Sequence, residues 1–441
     1  MTKNRSTART GRAGALVAFL AFAVALPAFA QDTAPLRGTI SVDEAVKRAL
    51  ERNHDILAAR QNIESAEGQK KQALQRYLPS LDASADYRRS FDNNFFLQGS
   101  TPIPTNPDNY SVNYGLQQNL VDWQAYKSIQ AAGKNVSANK YDYAQGRADL
   151  VLAAKQQYYA LLRAQLLAEV ADSALVVSEQ ELKRVESLFE LGMVARGDVL
   201  KAKVRVSQSK LDVITSRNTV VLERASLARL VGQDPNDDLA AARDITPTPA
   251  EVDSAAVYNE ALANRSDLKA AEAALAAANA SVGAAKAGYY PTLRGGFNYA
   301  HSDTTFTLAG ERSRTGFLSL NVPIFSSLYG TKGAIQQNQA AANQQRYAYD
   351  KKRLDVQVEV RNSVSTALQA NEGLTVAIDQ VESAREDLKL SQEKYNVGSG
   401  TILDLIDSQV ALQRARSNYV NALTLVRIAE ASLERVRGRT Y

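Results

Sequence analysis

The 441-residue chain has no cysteine, two methionines, two histidines and one tryptophan. Without cysteine there is no disulfide, no thiolate metal site and no residue to carry an N-terminal lipid. Scattered histidines give a soft or borderline metal nothing to hold, so no metal and no cofactor is expected. Beyond its first thirty residues the chain also lacks any apolar run near the ~20 residues that a membrane helix needs. If it enters a membrane, it must do so as a β-barrel, the other structure that satisfies its own backbone in lipid. An excess of one charge is missing too. The formal charge is +5, but Lys3, Arg5, Arg9 and Arg12 all precede the apolar "AGALVAFLAFAVALPAFA", which ends in Ala28-Phe29-Ala30. That is the pattern of an export signal cleaved after Ala30, and residues 1–30 are set aside as a signal peptide. The remainder carries 48 Lys and Arg against 47 Asp and Glu, a net +1 that gives no support for a nucleic-acid partner.

What is present is a chain written twice. "ALERNHDILAA" from Ala49 matches "ALANRSDLKAA" from Ala261, a shift of 212 residues that holds through Tyr77-Leu78-Pro79 against Tyr289-Tyr290-Pro291. "LFELGMVARGDVL" from Leu188 matches "KYNVGSGTILDLI" from Lys394, shifted by 206, and this persists to Gly232 against Gly438. The divisions are repeat one at 31–232, a linker at 233–252 and repeat two at 253–441. Each repeat predicts a helix of about 35 residues (42–77 and 254–289), stopped at a joint by Pro79 or Pro291. Two alternating segments follow, then a helical run of about 65 residues (125–190 and 330–395). A glycine turn and a further helix (198–230 and 401–437) complete the unit. At about 1.5 Å per residue the longest runs reach on the order of 100 Å, more than a single globular core needs. The last helix has 3/4 spacing at Ile402, Leu405, Gln409, Leu412, Arg416, Tyr419, Leu423, Val426, Glu430 and Leu433, a coiled-coil-like seam with polar interruptions.

The alternating segments set Leu81, Ala83, Ala85 and Tyr87 against Asp82, Ser84, Asp86 and Arg88, and Tyr110, Val112, Tyr114 and Leu116 against Ser111, Asn113, Gly115 and Gln117. In repeat two, Leu293, Phe297 and Tyr299 oppose Arg294, Asn298 and Ser302, and Leu318, Leu320 and Val322 oppose Ser319 and Asn321. Some ten residues of such alternation is the pattern of an outer-membrane strand, although one segment alone would equally suit a soluble sandwich. Four strands cannot close a barrel, which needs about eight, so several chains must contribute. Tyr77, Trp123, Tyr126, Tyr289, Tyr290, Phe325 and Tyr329 gather where strands meet helices, as an interfacial belt does.

These features resemble the TolC family of outer-membrane efflux proteins over essentially the whole mature chain. The resemblance rests on the duplicated helix starts, the Tyr-x-Pro joints, and the twin G-x-x-x-x-x-D turns at Gly192 and Gly398. It implies a mixed α and β membrane protein. Duplicated long helical hairpins would form a periplasmic α-barrel, and four strands per chain would enter a trimeric 12-stranded outer-membrane β-barrel. It also implies a homotrimer set in outer-membrane lipid, a periplasmic adaptor and an inner-membrane transporter. The duct so formed would export drugs, toxic solutes or proteins. A periplasmic coiled-coil adaptor or scaffold is the second reading; it explains the signal and the long helices but not the alternating segments.

No catalytic constellation accompanies the two histidines, and no glycine-rich phosphate loop is present, so an enzyme is not expected. His54 falls opposite Ser266 in the other repeat, so that position does not demand an imidazole. The site of interest is the turn "NVGSGTILDLIDSQ" from Asn396. Gly192, Gly398 and Gly400 mark the helix tips. Thr401-x-x-Asp404 has the spacing of a capping box, and repeat one has Asp198 in the same place. Asp407 lies past the first turn, on the face of Asp404, and its repeat-one equivalent is Lys201. Capping is the primary role expected of Asp404, and on its residues alone Asp407 reads as a solvated helix face; in the trimer that the resemblance implies, Asp407 and Asp404 would ring one axis as a pore or gate. The resemblance places the closing contacts at these tips, with Asp198, Arg196 and Tyr395 as candidates.

Overall fold

A computed structural model describes residues 38–91, 95–98, 101–104, 106–243, 253–305, 310–325 and 328–439. The signal peptide at 1–30 and the 244–252 part of the linker lie outside the described residues. In chain order the elements are β1 (Gly38–Ile40), α1 (Val42–Arg52), α2 (His54–Gln75), β2 (Ser80–Arg89), β3 (Phe95–Gln98), β4 (Thr101–Pro104), β5 (Asp108–Val121), α3 (Trp123–Glu190) and α4 (Arg196–Leu230). Then come β6 (Leu239–Ala241), α5 (Ser254–Asn264), α6 (Ser266–Lys286), β7 (Thr292–Asp303), β8 (Glu311–Asn321), α7 (Leu328–Asn396) and α8 (Ile402–Val436). The two longest helices, α3 and α7, have 68 and 69 residues. Strands β2 and β7 begin directly after Pro79 and Pro291, where a missing N–H and a fixed φ end the preceding helical turn.

The structure corrects the sequence reading in four places. Each 35-residue helix is two helices, broken at Asn53 and Arg265, which both take extended backbone with ψ 126. Apolar periodicity runs through a one-residue break, so pattern alone does not register it. Asn53 turns the break into a cap: its side chain accepts from Asp55 N at 2.9 Å and donates to the Leu230 carbonyl at 3.0 Å. Second, the proline-bearing loop after β2 holds the hairpin of β3 and β4. Third, the linker carries β6, which pairs in parallel with β1, and the Tyr158 hydroxyl bridges the carbonyls of Ile40 and Ala242 beside it at 3.2 and 3.1 Å. Fourth, the seam of α8 turns slightly. Ala415 and Val420 are buried where Arg416 and Tyr419 are expected, because small side chains let α8 approach its neighbours closely.

Strands β2-β5-β7-β8 form one antiparallel sheet in that order. Its register aligns Leu81, Leu116, Phe297 and Gly316 in one row, and Ala83, Tyr114, Tyr299 and Arg314 in the next. One face is therefore largely apolar across all four strands. The other carries Asp82, Gly115 and Asn298, then Ser84, Asn113 and Ala300. Helices pack below the sheet in the same open manner. Next to it the order is α2-α3-α6-α7, and farther away it is α4-α3-α8-α7. All three layers are rows of four with two free edges.

The layers are joined at a waist. Helices α4 and α8 end at Gly232 and Gly438, with φ +71 and +74. A Cβ at Gly232 would stand 2.7 Å from the Arg52 carbonyl, and one at Gly438 would stand 2.8 Å from Arg265 N, so each glycine lets a helix end close on the helix break of its own repeat. In repeat two the break is also charged. Arg265, 3 % exposed, donates to Asp267 at 3.0 and 2.7 Å and pairs with Glu359 at 2.7 Å. Glu359 also binds Arg435, which reaches Asp149 on α3 at 2.8 Å. Burial alone would push the Asp267 carboxyl up. The hydrogen bond and charge of Arg265, with Lys352 and the Leu268 N–H, hold it below its ordinary 3.8.

Arg265→Met strips the partner from the buried Asp267 carboxylate and should destabilise the protein by about 3 kcal/mol at neutral pH. A depressed carboxyl contributes its full stability above its ordinary value and loses it as pH falls through the lowered one. The penalty should therefore shrink in acid, below about pH 4. Unfolding of the mature protein in detergent at the two pH values measures this. A loss under about 1 kcal/mol at neutral pH would remove the network as a stabilising element.

Candidate functional site

The two glycine turns lie at the end of the helices far from the sheet. Gly192 and Gly398 take φ +72 and +73, the left-handed conformation that ends a helix. Their N–H groups donate to the carbonyls of Phe189 and Tyr395 at 2.9 and 3.2 Å, and the next N–H groups reach Leu188 and Lys394. Gly400 N also returns to the Lys394 carbonyl, at 3.1 Å. Val185, Val199, Ile402 and Leu405 form a small buried cluster that holds the two reversals together.

The repeats then part company. Helix α4 starts at Ala195 with no side-chain cap, whereas α8 starts with a complete capping box. Asp404 N donates to Thr401 Oγ1 at 3.2 Å, and the Asp404 carboxylate accepts from Thr401 Oγ1 at 2.7 Å and Thr401 N at 3.1 Å. The hydroxyl bond, followed by the backbone one, lowers the Asp404 carboxyl below its ordinary value. Its charge is thus fixed by the helix it begins. Asp407 is exposed one turn later and makes no ion pair with a described residue. Asp198 pairs with Lys201, the equivalent of Asp407, at 3.5 Å. The repeat-one tip is balanced and the repeat-two tip is doubly acidic.

Tyr395 packs against Arg184 at the edge of a groove that it shares with Asp198. The Arg184 guanidinium lies 5.0 Å from its ring centroid, donates to Asn396 Oδ1, and binds Glu181 at 3.0 Å. Burial, then the charge of Glu181, pushes the Tyr395 phenol up, and its buried hydroxyl has no hydrogen-bond partner among the described residues. Asp198 and Lys201 share with Tyr395 and Arg184 a groove of about 840 Å³ between the two tips. Arg196 is exposed at the first position of α4 and does not line that groove. Glu181 and Arg184 are absent from the sequence reading, and Asn396 enters it only as the first residue of the turn. Their contact joins α3 to α7 across about two hundred residues, and only the 3-residue spacing of Glu181 and Arg184 hinted at a pair.

At the other end of the helices, Trp123 and Tyr126 meet edge to face at 6.3 Å, and both are about half exposed, as are Tyr290 and, more fully, Phe325 and Tyr329. Pro79 and Pro291 thus stand where an aromatic girdle meets the sheet. No described helix is long and apolar enough to cross a membrane.

Two stretches, 45–233 and 257–439, match the family described as outer membrane efflux protein. Outer membrane protein TolC of Vibrio cholerae is 23% identical over 365 residues, 78% of each chain. The solvent efflux pump outer membrane protein SrpC of Pseudomonas putida is 24% identical over 387 residues, 85% of this chain and 80% of that one. Among solved structures, the outer-membrane channel OprN superposes with a TM-score of 0.79 at 22% identity, covering 90% of this chain and 89% of its own. VceC of Vibrio cholerae gives 0.78 at 19% identity, covering 90% and 96%. The fold is that of these channels, with duplicated helical hairpins for a periplasmic α-barrel and four strands for an outer-membrane β-barrel. The chain therefore belongs to the outer membrane efflux protein family, placed in the outer membrane and reaching into the periplasm.

Proposed function

We propose that three copies close into one exit duct, a 12-stranded barrel continuous with a helical tunnel that exports drugs, toxic solutes or proteins. The observation that carries this reading is the pair of free edges in every layer. β2 and β8 bound the sheet, and α4 and α7 bound the lower helices. The open edges are also apolar. Leu200, Val204, Leu211, Ile214 and Val221 make an exposed stripe at near-heptad spacing along α4, and Tyr347, Leu354, Val358 and Leu368 are exposed along α7. Stripes of this kind suit helix-to-helix packing between copies. Relatives named for solvent, toluene and antibiotic efflux support a small-molecule cargo. A periplasmic adaptor and an inner-membrane transporter would supply the coupling and the energy. The mature protein, extracted in detergent, should behave as a trimer and conduct ions across a lipid bilayer. Recovery as a water-soluble monomer without detergent would overturn this and favour an adaptor.

The tips would form the closed end. Asp407, with Asp404, would ring the axis, and such rings select ions. Tyr395, Arg184 and Asn396 would hold the tips together, with Asp198 lining the groove beside them; Arg196, outside the groove, is left free to contact a neighbouring copy. Because Asp198 is already paired with Lys201, its removal should matter less to a cation in the pore than removal of Asp407. Asp407→Ala should weaken the block of conductance by multivalent cations more than Asp198→Ala does. Equal or reversed effects in single-channel recordings would take Asp407 out of the pore.

A further inference from the structure

The apolar face of the sheet changes character along its length. Near the helices it carries Leu81, Leu116, Phe297, Leu318 and Leu320. At the far end the same face carries Arg312 and Arg314 on β8, with His301 and Tyr299 directly across on β7. Eight residues at about 3.3 Å each set Arg312 some 26 Å along the strand from Leu320, or about 20 Å across the membrane at a barrel tilt of about 40°, most of the ~25 Å of an outer-membrane apolar band. Arg312 and Arg314 are the two outermost positions of β8 on that face, at the end of the proposed lipid-facing surface far from the helices. The Arg314 guanidinium lies 6.0 Å from the Tyr299 ring, in the same row as Tyr114 on β5.

Neither arginine forms an ion pair with a described residue. Arg89, on the same face, lies 3.8 Å from Asp108 and beside the Tyr87 hydroxyl. His301 is 6 % exposed and its Nε2 has no hydrogen-bond partner among the described residues. In the proposed closure, β8 would meet β2 of the next copy, whose positions on this face are Leu81, Ala83, Ala85, Tyr87 and Arg89 and bring no carboxylate; the face's own carboxylates at this end are Asp108, held by Tyr87 and Arg89, and Asp303, two residues beyond His301, and neither is within ion-pair distance of Arg312 or Arg314. Unpaired guanidinium groups at a lipid boundary require an anion, and their planar fork fits phosphate. We propose that Arg312 and Arg314, with Arg89, bind the phosphate of an outer-leaflet glycolipid, while the tyrosines lie along its acyl chains. The site depends on which sheet face meets lipid and not on how the tips close.

The test is a titration of the detergent-extracted protein with lipid A carrying both phosphates, with dephosphorylated lipid A, and with inorganic phosphate, read by native mass spectrometry. The phosphorylated lipid should bind at least about tenfold tighter than the dephosphorylated one. The double variant R312A/R314A should lose that preference, while Arg88→Ala, on the opposite face of β2, should keep it. Equal binding of both lipids by the unaltered protein overturns the proposal even if the variant fails to assemble. So does a preference that survives in the double variant, or inorganic phosphate binding as tightly as the lipid. The same spectra report copy number, so loss of assembly and loss of the lipid site are read separately.

Discussion

The unpaired edges of β2 and β8 are the constraint from which the rest of the molecule follows. In lipid there is no water to satisfy a free N–H or C=O, and each one left bare costs several kcal/mol. Four strands cannot bend round to meet each other, so in the proposed duct the edges are met by other copies. Once the sheet is committed to a ring, the helices below inherit the same geometry. Each strand pair is joined to the helices through a proline and a girdle aromatic, so the four-abreast order of the sheet continues into α2-α3-α6-α7 and then α4-α3-α8-α7. The exposed apolar stripes on α4 and α7 belong to the same requirement. On a monomer they would be an aggregation hazard, and on a ring member they are contact surface.

Duplication supplies matched geometry, and substitution then makes the halves unequal. The glycine ends at Gly232 and Gly438 close on the breaks at Arg52-Asn53 and Asn264-Arg265 in the same manner, yet one break is capped by an amide and the other has no side-chain cap and holds a buried guanidinium paired with two carboxylates. At the tips the shared turn begins one helix with Asp198 paired to Lys201 and the other with Asp404 followed by Asp407. In both places the backbone tolerates either choice, because the conformation is set by glycine and extended cap residues rather than by the charged side chain. Charge is therefore free to differ between repeats.

What was legible in the sequence is what rests on local chemistry. Period-two alternation placed β2, β5, β7 and β8, helix formers bounded by proline and glycine placed α3, α4, α7 and α8, and the Thr401–Asp404 spacing is the capping box itself. The breaks at Asn53 and Arg265 were hidden because a one-residue change of ψ leaves the apolar rhythm intact. Arg184 beside Tyr395 was hidden because the two meet only when α3 lies next to α7. The seam of α8 was misjudged at Arg416 and Tyr419 because it is chosen by alanine, which pattern reading undervalues. The strand β6 was missed because three residues carry no periodicity.

The waist and the tip differ in what opening them would break. At the waist, the buried Arg265 and Asp267 and the partly exposed Glu359 and Arg435 join α6, α7 and α8 at the end of α5, and the glycine ends interlock with the helix breaks. Parting these leaves buried charges without partners, a cost of several kcal/mol each. At the tip the buried cluster is small, and the links of Arg184 to Asn396 and of Lys201 to Asp198 are partly exposed. Exposed links of this kind are worth about 0–1 kcal/mol. Local stability falls with fewer buried contacts and more solvated bonds, so in the proposed tunnel the tip is the part free to open alone. In the proposed ring the carboxylates at Asp404 and Asp407 push the same way, since like charges oppose a closed axis. Closure then rests on the weak outer links, and a partner that competes for the groove between the tips needs to outweigh only those, while the waist keeps the barrel above it in register.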